Sequence, residues 1–495
     1  MLSTILASSM AFIDSTALNV ILPSLQKDLE ATGVDLFWVL NSYMLMLAAL
    51  IIVGGSLGDK MGRVRVFMFG ILVFTISSAA CGFAQDITQL IIFRGIQGIG
   101  GAFMIPGSLS IISAVFTKEE KGKAIGTWSA ASTIVTICGP VLGGALADLG
   151  LWRFIFFINV PLGVLALIAL QLKVPESKEP GSSSIDWLGA ALMVFGLAAL
   201  TFGFLEMPEW GYDDPIVIVS LAIGLIILVV FLVVEMRIKD PMVPLSLFKN
   251  RTFSGVNLLS FFLYAGLGGV ILFLSLNIIQ IQGYSQLQAG LTFLPFSFVM
   301  ILSSRKMGAM SDKYGPRNFL IIGPAVAGIG MTFLALIGLT EGPEDYWTTF
   351  FPPFMVFAAG MSITVVPLTT AVMGSVDDSK SGIASGINNS VTRIASTFII
   401  AIAGAIAIFL FTGQVEQELT SLDLSADEAA MVLQEAVRLG EATAPQSLSA
   451  EIAAEVEHIY DLSFIQTYRL IGLISAGLAF LSSIIALFMV EKKKV

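Results

Sequence analysis

The stretch that decides the fold is GSLGDKMG, residues 55–62, because a second copy, GAMSDKYG, stands at residues 308–315. Glycine opens and closes both copies, and aspartate followed by lysine occupies the fifth and sixth positions of each. Glycines permit a tight turn and a close approach between helices. One turn repeated 253 residues further along the chain predicts two related halves.

The sequence around both turns is strongly apolar. Of 495 residues, 56% are hydrophobic and only 13% are charged, with a mean hydropathy of +0.88. No soluble domain of this size has such a composition, and lipid leaves α-helices as the structure for apolar runs of this length. We predict an all-α polytopic membrane protein with fourteen spans, near residues 2–22, 36–57, 66–85, 88–114, 125–147, 153–172, 186–205, 215–235, 253–281, 287–304, 318–339, 348–373, 383–411 and 464–490.

The orientation follows from the positions of lysine and arginine. Twenty of these residues fall in one set of loops, whereas only Lys27, Arg153, Arg438 and Arg469 belong to the alternate set. The positive-inside rule therefore places both termini in the cytoplasm, which requires an even number of spans. Arg94 and Arg393 remain inside predicted spans.

The two turns divide the chain into three parts. Residues 1–172 form an amino-terminal bundle of six spans, and residues 253–495 form a carboxy-terminal bundle of six. Residues 173–252 are a linker that contains two inserted spans. Parallel repeats about an axis along the membrane normal are typical of transporters that bind substrate at the midplane between their halves.

The segment 412–463, inside the second bundle, is the only sizeable part predicted outside the membrane. It holds eleven Asp and Glu residues against one Arg, so the formal charge of −10 belongs to this outer loop and implies no nucleic-acid partner. Ser425 and Glu428 form a capping-box pattern. We expect two short surface helices, at residues 429–439 and 448–459, with a solvated acidic face.

Asp14 lies in the middle of the first span, which we expect to end at Pro23. An aspartate at that depth costs roughly 2.5 to 3.5 kcal/mol on insertion scales. A water-filled cavity, a cationic partner or a bound proton would offset this cost, and all three are properties of transporters. The alternative is a carboxylate that only ties helices together.

Arg94 is buried among glycines in the fourth span. A guanidinium in the membrane keeps its proton and needs an acceptor, for which Asp14 is the natural candidate. Pairing favours the charged carboxylate, and water or substrate that separates the pair favours protonation, which would make a proton switch. A structural ion pair is the alternative.

The first repeated turn carries Asp59, Arg63 and Arg65. We expect Asp59 to accept from backbone N–H groups at a neighbouring helix start, and the arginines to pair with carboxylates or lipid phosphates. Such a cluster would latch the halves on the inside. Asp312 is the equivalent aspartate of the second turn, where Pro316 replaces the arginine and should weaken the latch. The alternative is ordinary positive-inside loop chemistry.

The fifth span carries a proline between glycines, namely Gly139, Pro140, Gly143 and Gly144. Proline removes one helical hydrogen bond and bends the helix, and the glycines allow close packing. We expect a hinge here, or a seal between the cavity and the outside.

These stretches resemble the major facilitator superfamily, specifically its fourteen-helix drug:proton antiporter branch of the quaternary-ammonium and multidrug exporter type. The first-span pattern of Asp14, Thr16 and Asn19 and the fifth-span pattern at residues 139–144 carry the resemblance. It implies export by alternating access coupled to proton entry, with Asp14 and Arg94 as the coupling pair. Relatives that export divalent cations carry further acids in the tenth and thirteenth spans, and this sequence has none at that depth.

Several polar or aromatic residues within spans are candidates for the wall of a substrate cavity. They are Asn19, Asn41, Tyr43, Gln97, Tyr264, Asn277, Asn388 and Arg393.

The sequence therefore predicts a proton-coupled exporter of amphipathic small molecules in the bacterial inner membrane. Its expected partners are the substrate, protons and membrane lipids, with the need for a periplasmic adaptor left open. An exporter of lipids or lipid precursors is the first alternative, and a non-transporting receptor or scaffold is the second. We expect no enzymatic activity, metal site or cofactor, and the proton gradient as energy source, because no nucleotide loop, metal-ligand cluster or nucleophile–base pattern is present.

Overall fold

The computed structural model describes residues 1–178, 185–377 and 381–491, apart from the side chains of residues 118, 119, 121, 122, 173, 381 and 382. Residues 179–184 of the predicted linker, Lys380 and the basic tail Lys492–Lys494 lie outside the described residues.

Helices account for nearly all regular structure in this part of the chain, and no strand occurs within it. Fourteen helical segments are long and apolar enough to cross a membrane, which confirms the predicted fold class. The helices are α1 Leu2–Asp28, α2 Gly33–Met61, α3 Arg63–Phe83, α4 Ile87–Val115, α5 Lys118–Asp148, α6 Phe154–Phe157, α7 Asn159–Lys173, α8 Trp187–Trp210, α9 Pro215–Arg237, α10 Arg251–Leu276, α11 Gln286–Thr292, α12 Leu294–Tyr314, α13 Arg317–Ala335, α14 Phe351–Gly374, α15 Ser381–Leu419, α16 Ala426–Ala436 and α17 Ala450–Met489.

Two of the spans are interrupted. The sixth consists of α6 and α7, and the tenth of α11 and α12. The first span differs from the prediction in the other direction, since α1 continues through Pro23 to Asp28. Pro23 is buried against neighbouring helices, and packing of this kind lets a membrane helix tolerate the one hydrogen bond that proline removes.

The outer segment is shorter than predicted because the flanking helices extend into it. α15 runs to Leu419 and α17 already begins at Ala450, so the expected separate helix at 448–459 is the first part of α17. The other expected surface helix is present as α16, three residues earlier than predicted, and Ser425 caps it with Glu428 as a capping box.

Both repeated turns contain a glycine with a positive φ angle. Gly62, after α2, and Gly315, after α12, have φ angles of +119° and +80°, which are accessible to glycine at little cost. The two copies therefore end equivalent helices of the two halves. The inserted helices α8 and α9 pack on each other, and α8 also contacts α2 and α15.

The two halves meet through α2 against α15 and through α5 against α11. Near the predicted outer side the contacts are close, as where a Cβ on Gly404 would lie 2.5 Å from the ring of Phe37. Toward the predicted cytoplasmic side, a Cβ on Gly126 of α5 or Gly386 of α15 would meet no atom within 4 Å. The described hydrogen bonds between the two halves, such as that of Ser24 to Gln286, lie near the predicted outer side.

Candidate functional site

A buried charge network joins α1 to α4. Arg94 Nη1 donates to Asp14 Oδ2 at 2.6 Å, and Gln97 Nε2 donates to Asp14 Oδ1 at 2.9 Å. Arg94 Nη1 also donates to Gln97 Oε1 at 2.7 Å. Asp14 and Arg94 are each 1% exposed, so the attraction between them is weakly screened. The contact predicted between Asp14 and Arg94 is therefore present.

The arginine of this network is held by α2 as well. Its guanidinium carbon lies 4.3 Å from the ring centroid of Tyr43, and its Nε donates to the carbonyl of Val39 at 3.4 Å. An aromatic face attracts a desolvated cation. Three helices thus surround one ion pair, and removal of either charge would leave the other buried without its partner.

Gln97 was predicted in the substrate cavity, but the structure places it in this network. It is fully buried, and the thiol of Cys81 is a further donor to its Oε1 at 3.8 Å. Its side chain lies three residues from Arg94 on the same helix face, which is the spacing at which helical neighbours meet. Gln97 therefore orients the pair.

The glycines of α5 allow two different helices to approach it closely. A Cβ on Gly139 would lie 2.0 Å from Thr16 Oγ1 of α1, and one on Gly144 would lie 2.2 Å from the carbonyl oxygen of Gln286. In return, a Cβ on Gly290 would lie 2.4 Å from the carbonyl oxygen of Pro140. Gly143 likewise adjoins Ala17. The motif lies where the two halves are closed, as the seal hypothesis expects.

Asp148, at the end of α5, holds the same closure and was not identified from the sequence. Its carboxylate accepts from Ser285 Oγ at 2.7 Å and from the backbone N–H groups of Gln286 and Leu287 at 2.8 and 3.1 Å. Ser24 Oγ of α1 adds a bond to Gln286 Oε1 at 2.9 Å. One half thus caps a helix of the other. The capping-box pattern of Ser285 and Gln288 signals that helix start, but nothing in the sequence links it to Asp148.

The first repeated turn is held by a residue that sequence analysis also missed. Glu176 accepts from the backbone N–H groups of Val64 and Arg65 at 3.0 and 3.1 Å. These are the hydrogen bonds at a helix start that were predicted for Asp59. Asp59 instead accepts from Arg63 Nε at 2.8 Å. The start of α3 favours an anion, and Glu176 reaches it because the chain after α7 returns to this turn. Asp312 lies at the matching position of the second turn.

The remaining cavity candidates fall into different places. Asn277 is fully buried near the predicted outer end, where the chain continues after α10 as a π-helix, and its Oδ1 accepts from Gln282 Nε2; its place in the cavity stays a prediction. Asn388 fastens α15 to α10 through Asn257 and Ser260 at 3.1 and 2.8 Å.

Four candidates lie on helices that face the junction between the halves. Asn19 is half-buried on α1, and Asn41 is fully buried on α2 with neither amide atom hydrogen-bonded. Tyr264 and Arg393 are half-buried on α10 and α15 and interact electrostatically with one another. A ligand or water at Asn41 would gain two hydrogen bonds that the described chain does not supply.

The outer segment closes the far end of the bundle. Gln26 Nε2 of α1 donates to the carbonyl oxygen of Arg438 at 3.0 Å, and the backbone N–H of Gly33 donates to the carbonyl oxygen of Val437 at 3.1 Å. From the other half, Gln280 Nε2 donates to Glu441 Oε1 at 3.3 Å. We call residues 426–441 the outer plug, because they are hydrogen-bonded to both halves.

These features have a counterpart among known proteins. The family model described as Major Facilitator Superfamily matches residues 4–400. The chain belongs to the major facilitator superfamily. As a member of that superfamily with fourteen spans, it is an integral, multi-pass membrane transporter and not an enzyme.

Characterised superfamily members resemble it over most of its length. The multidrug transporter protein MdtP of Bacillus subtilis is 31% identical over 406 residues, which are 81% of this chain and 74% of MdtP. The tetracenomycin C resistance and export protein of Streptomyces glaucescens is 27% identical over 490 residues, 97% of this chain and 89% of that protein. Both carry names of drug or antibiotic transport.

Solved structures of the superfamily share the fold at lower identity. A bacterial homologue of the human lysosomal transporter Spinster, in an inward-facing and unoccupied conformation, superposes with a TM-score of 0.68 at 18% identity, covering 98% of this chain and 96% of that one.

Proposed function

We propose that this protein is a proton-coupled exporter of amphipathic small molecules that works by alternating access. Relatives at 31% and 27% identity are named for multidrug transport and for tetracenomycin C export, which supports this substrate class. The predicted orientation, with both termini in the cytoplasm, makes the described conformation the one that loads substrate from the cytoplasm.

The observation that carries the proposal is the buried network of Asp14, Arg94 and Gln97. A carboxylate in the middle of a span and paired with an arginine is held charged while the pair is intact, and it is able to take up a proton when the pair separates. Because α1 also adjoins the α5 glycines, a movement of α5 reaches this pair directly.

The proton gradient supplies enough free energy for such export. One proton that moves inward gains about 2.3 kcal/mol per 100 mV of membrane potential, and each pH unit adds roughly 1.4 kcal/mol. At 100 mV one proton per cycle therefore sustains a gradient of a neutral substrate of up to about fifty-fold, and one added pH unit raises this to about five hundred-fold. This protein then needs no other energy source.

Substitution of Asp14 by asparagine tests the proposal. We expect Asp14→Asn to abolish uphill, gradient-driven efflux in proteoliposomes, because an amide keeps the hydrogen-bonding shape and cannot exchange a proton. Downhill exchange of substrate should persist. The readout is the accumulation of a fluorescent amphiphile on addition of an acid pulse, together with the pH change inside the vesicles.

Asp213→Asn is the matched control, because Asp213 is exposed in the turn between α8 and α9. It removes the same charge and should leave efflux unchanged. Full gradient-driven efflux by Asp14→Asn would exclude Asp14 from the coupling mechanism and refute the proposal in its present form.

Export of lipids or their precursors is the second candidate, favoured by one cavity. A cavity of about 650 Å³ near the predicted outer side is lined by apolar and aromatic residues, among them Tyr284, Phe298, Tyr346 and Trp347. Burial raises the pKa of Tyr284 and of Tyr346 to about 12, so both hydroxyls remain neutral donors. Co-purification of a stoichiometric two-tailed lipid, lost in Phe298→Ala, would favour this candidate.

A further inference from the structure

One cation near the middle of the protein has no anionic counterpart among the described residues. Asp14 and Arg94 neutralise each other at 2.6 Å. Arg393 on α15 forms no ion pair with a described carboxylate, and the phenols of Tyr43 and Tyr264 lie near enough to interact with it electrostatically. Arg393 therefore has no counter-charge among the described residues.

The position of Arg393 shows which space it faces. Tyr43 belongs to α2 in the first half and Tyr264 to α10 in the second, so Arg393 lies between the halves. On α15, Gly386 and Asn389 precede it by seven and four residues and share its face. A Cβ on Gly386 would meet no atom within 4 Å, and Asn389 is exposed. This stripe borders the opening toward the predicted cytoplasmic side.

The surroundings also provide an apolar wall. Ile394 and Phe398 of α15 are partly buried and pack against Leu45 and Ala49 of α2, in a cluster that also contains Leu197 of the inserted helix α8. A ligand that placed a charged head at Arg393 would therefore lie close to apolar side chains from both halves. This combination matches a molecule with one charged end and an apolar body.

An unpaired guanidinium at this depth requires an acceptor. Arginine does not lose its proton in proteins, and cations inside a membrane protein face a water-filled pathway or bind an anion. Neutral phenol groups are weaker acceptors than an ionised oxygen pair, and the planar fork of arginine matches carboxylate, sulfonate and phosphate groups. The missing acceptor is therefore best supplied by the substrate.

We propose that Arg393 is the head-group site of this transporter and that its substrates are anionic amphiphiles with a carboxylate, sulfonate or phosphate. The proposal deepens the function proposed above, on which it rests for the direction of transport. It also has an electrical consequence. Exchange of an outgoing anion for an incoming proton moves two charges in the same sense, so an inside-negative potential drives both steps.

Binding to the purified protein in phosphatidylcholine nanodiscs tests this without any gradient. The probes are 8-anilinonaphthalene-1-sulfonate and N-phenyl-1-naphthylamine, which differ only by the sulfonate. We expect Arg393→Gln to weaken binding of the sulfonate by about ten-fold or more and to leave the neutral amine unchanged. Arg393→Lys should keep most of the sulfonate affinity, which also shows that the altered site still folds.

Arg237→Gln is the charge-matched control, because Arg237 is exposed at the end of α9, and it should alter neither affinity. An equal effect of Arg393→Gln on both probes, or no effect on either, would overturn the proposal. Nanodiscs that contain phosphatidylglycerol test whether the anion bound at Arg393 comes from a membrane lipid. Weaker sulfonate binding there in the wild type, absent in Arg393→Gln, would support the site with a lipid phosphate as its occupant.

The two proposals fail separately. Binding is measured without a gradient, so it does not depend on proton coupling. Selective binding of the anion with no gradient-driven transport would refute the proposed function and support the head-group site. Gradient-driven efflux of neutral or cationic dyes alone, unaffected by Arg393→Gln, would refute the head-group site and leave the exporter in place.

Discussion

Two buried carboxyl groups, Asp186 before α8 and Glu235 near the end of α9, face each other beside Gly189. A Cβ on Gly189 would lie 2.3 Å from Asp186 Oδ2 and 2.7 Å from Glu235 Oε1, and neither oxygen has a hydrogen-bond donor among the described residues. Their other oxygens accept from the backbone of Gly189 and of Val243. Two carboxylates that lie this close repel each other, so the buried pair is more stable when one carboxyl group is neutral.

We therefore expect Glu235→Gln to stabilise the protein at alkaline pH. The amide of glutamine donates to Asp186 at any pH, whereas the native pair needs a proton. The melting temperature in detergent should rise by a few degrees near about pH 8 and change little near about pH 5. Glu209→Gln is the control, since Glu209 is exposed at the end of α8. If the melting temperatures of Glu235→Gln and the native protein differed by the same amount at both pH values, a shared proton would be contradicted.

At the scale of helices, Asp148 links α5 of one half to α11 of the other, and opening of the outer side must break its three hydrogen bonds. We expect Asp148→Ala to favour the outward-open state, because hydrogen bonds to a charged acceptor are worth about 1.5–3 kcal/mol. A cysteine at Ser24, in a Cys138→Ser background, should then react faster with an impermeant maleimide.

Asp86→Ala is the control for this experiment, because Asp86 caps its own helix α4 through Gln89 and links no second half. It should leave the reactivity at residue 24 unchanged. Equal labelling rates in the Asp148→Ala and native proteins would show that the cap does not hold the outer side closed.

Some of these helices and contacts were predictable from the sequence, and others were not. The fourteen spans were predictable because lipid demands long apolar helices, and the Asp14–Arg94 contact because a buried charge needs an opposite one. Glu176 and Asp148 were missed, since their partners are backbone N–H groups that any residue supplies. The lengths of α15 and α17 were underestimated, because hydropathy marks the part of a helix in lipid and not its continuation into water. The roles of Asp59, Arg63 and Asp312 as a latch stay predictions.

For the whole molecule, the outer plug connects the halves and contains a partly buried carboxyl group, Glu441. Burial raises the pKa of Glu441, while its bond from Gln280 and the charges of Lys27 and Arg438 partly oppose that shift. A carboxyl group with a raised pKa in the docked state stabilises docking below its ordinary pKa, and this contribution is lost as the pH rises through the raised value.

The plug should therefore dock more tightly in acid than at neutral pH. Hydrogen exchange of residues 426–441 should slow as the pH falls toward the ordinary glutamate range, after correction for the intrinsic rate. Glu441→Gln should remove this dependence, because its amide is neutral throughout. Asp427→Asn is the comparison, because Asp427 is exposed on α16. Exchange that varies with pH to the same degree in Glu441→Gln would exclude this carboxyl group as the cause.

α17 contains 40 residues, so it is about 60 Å long at 1.5 Å per residue, twice the roughly 30 Å of hydrocarbon that it crosses. Its first turns and the end of α15 stand beyond the lipid as a paired stalk, braced by α16. Transporters of this size are hard to orient in electron micrographs because a detergent belt hides their features. An antibody fragment raised against this stalk would give each particle a rigid, asymmetric marker outside the detergent belt.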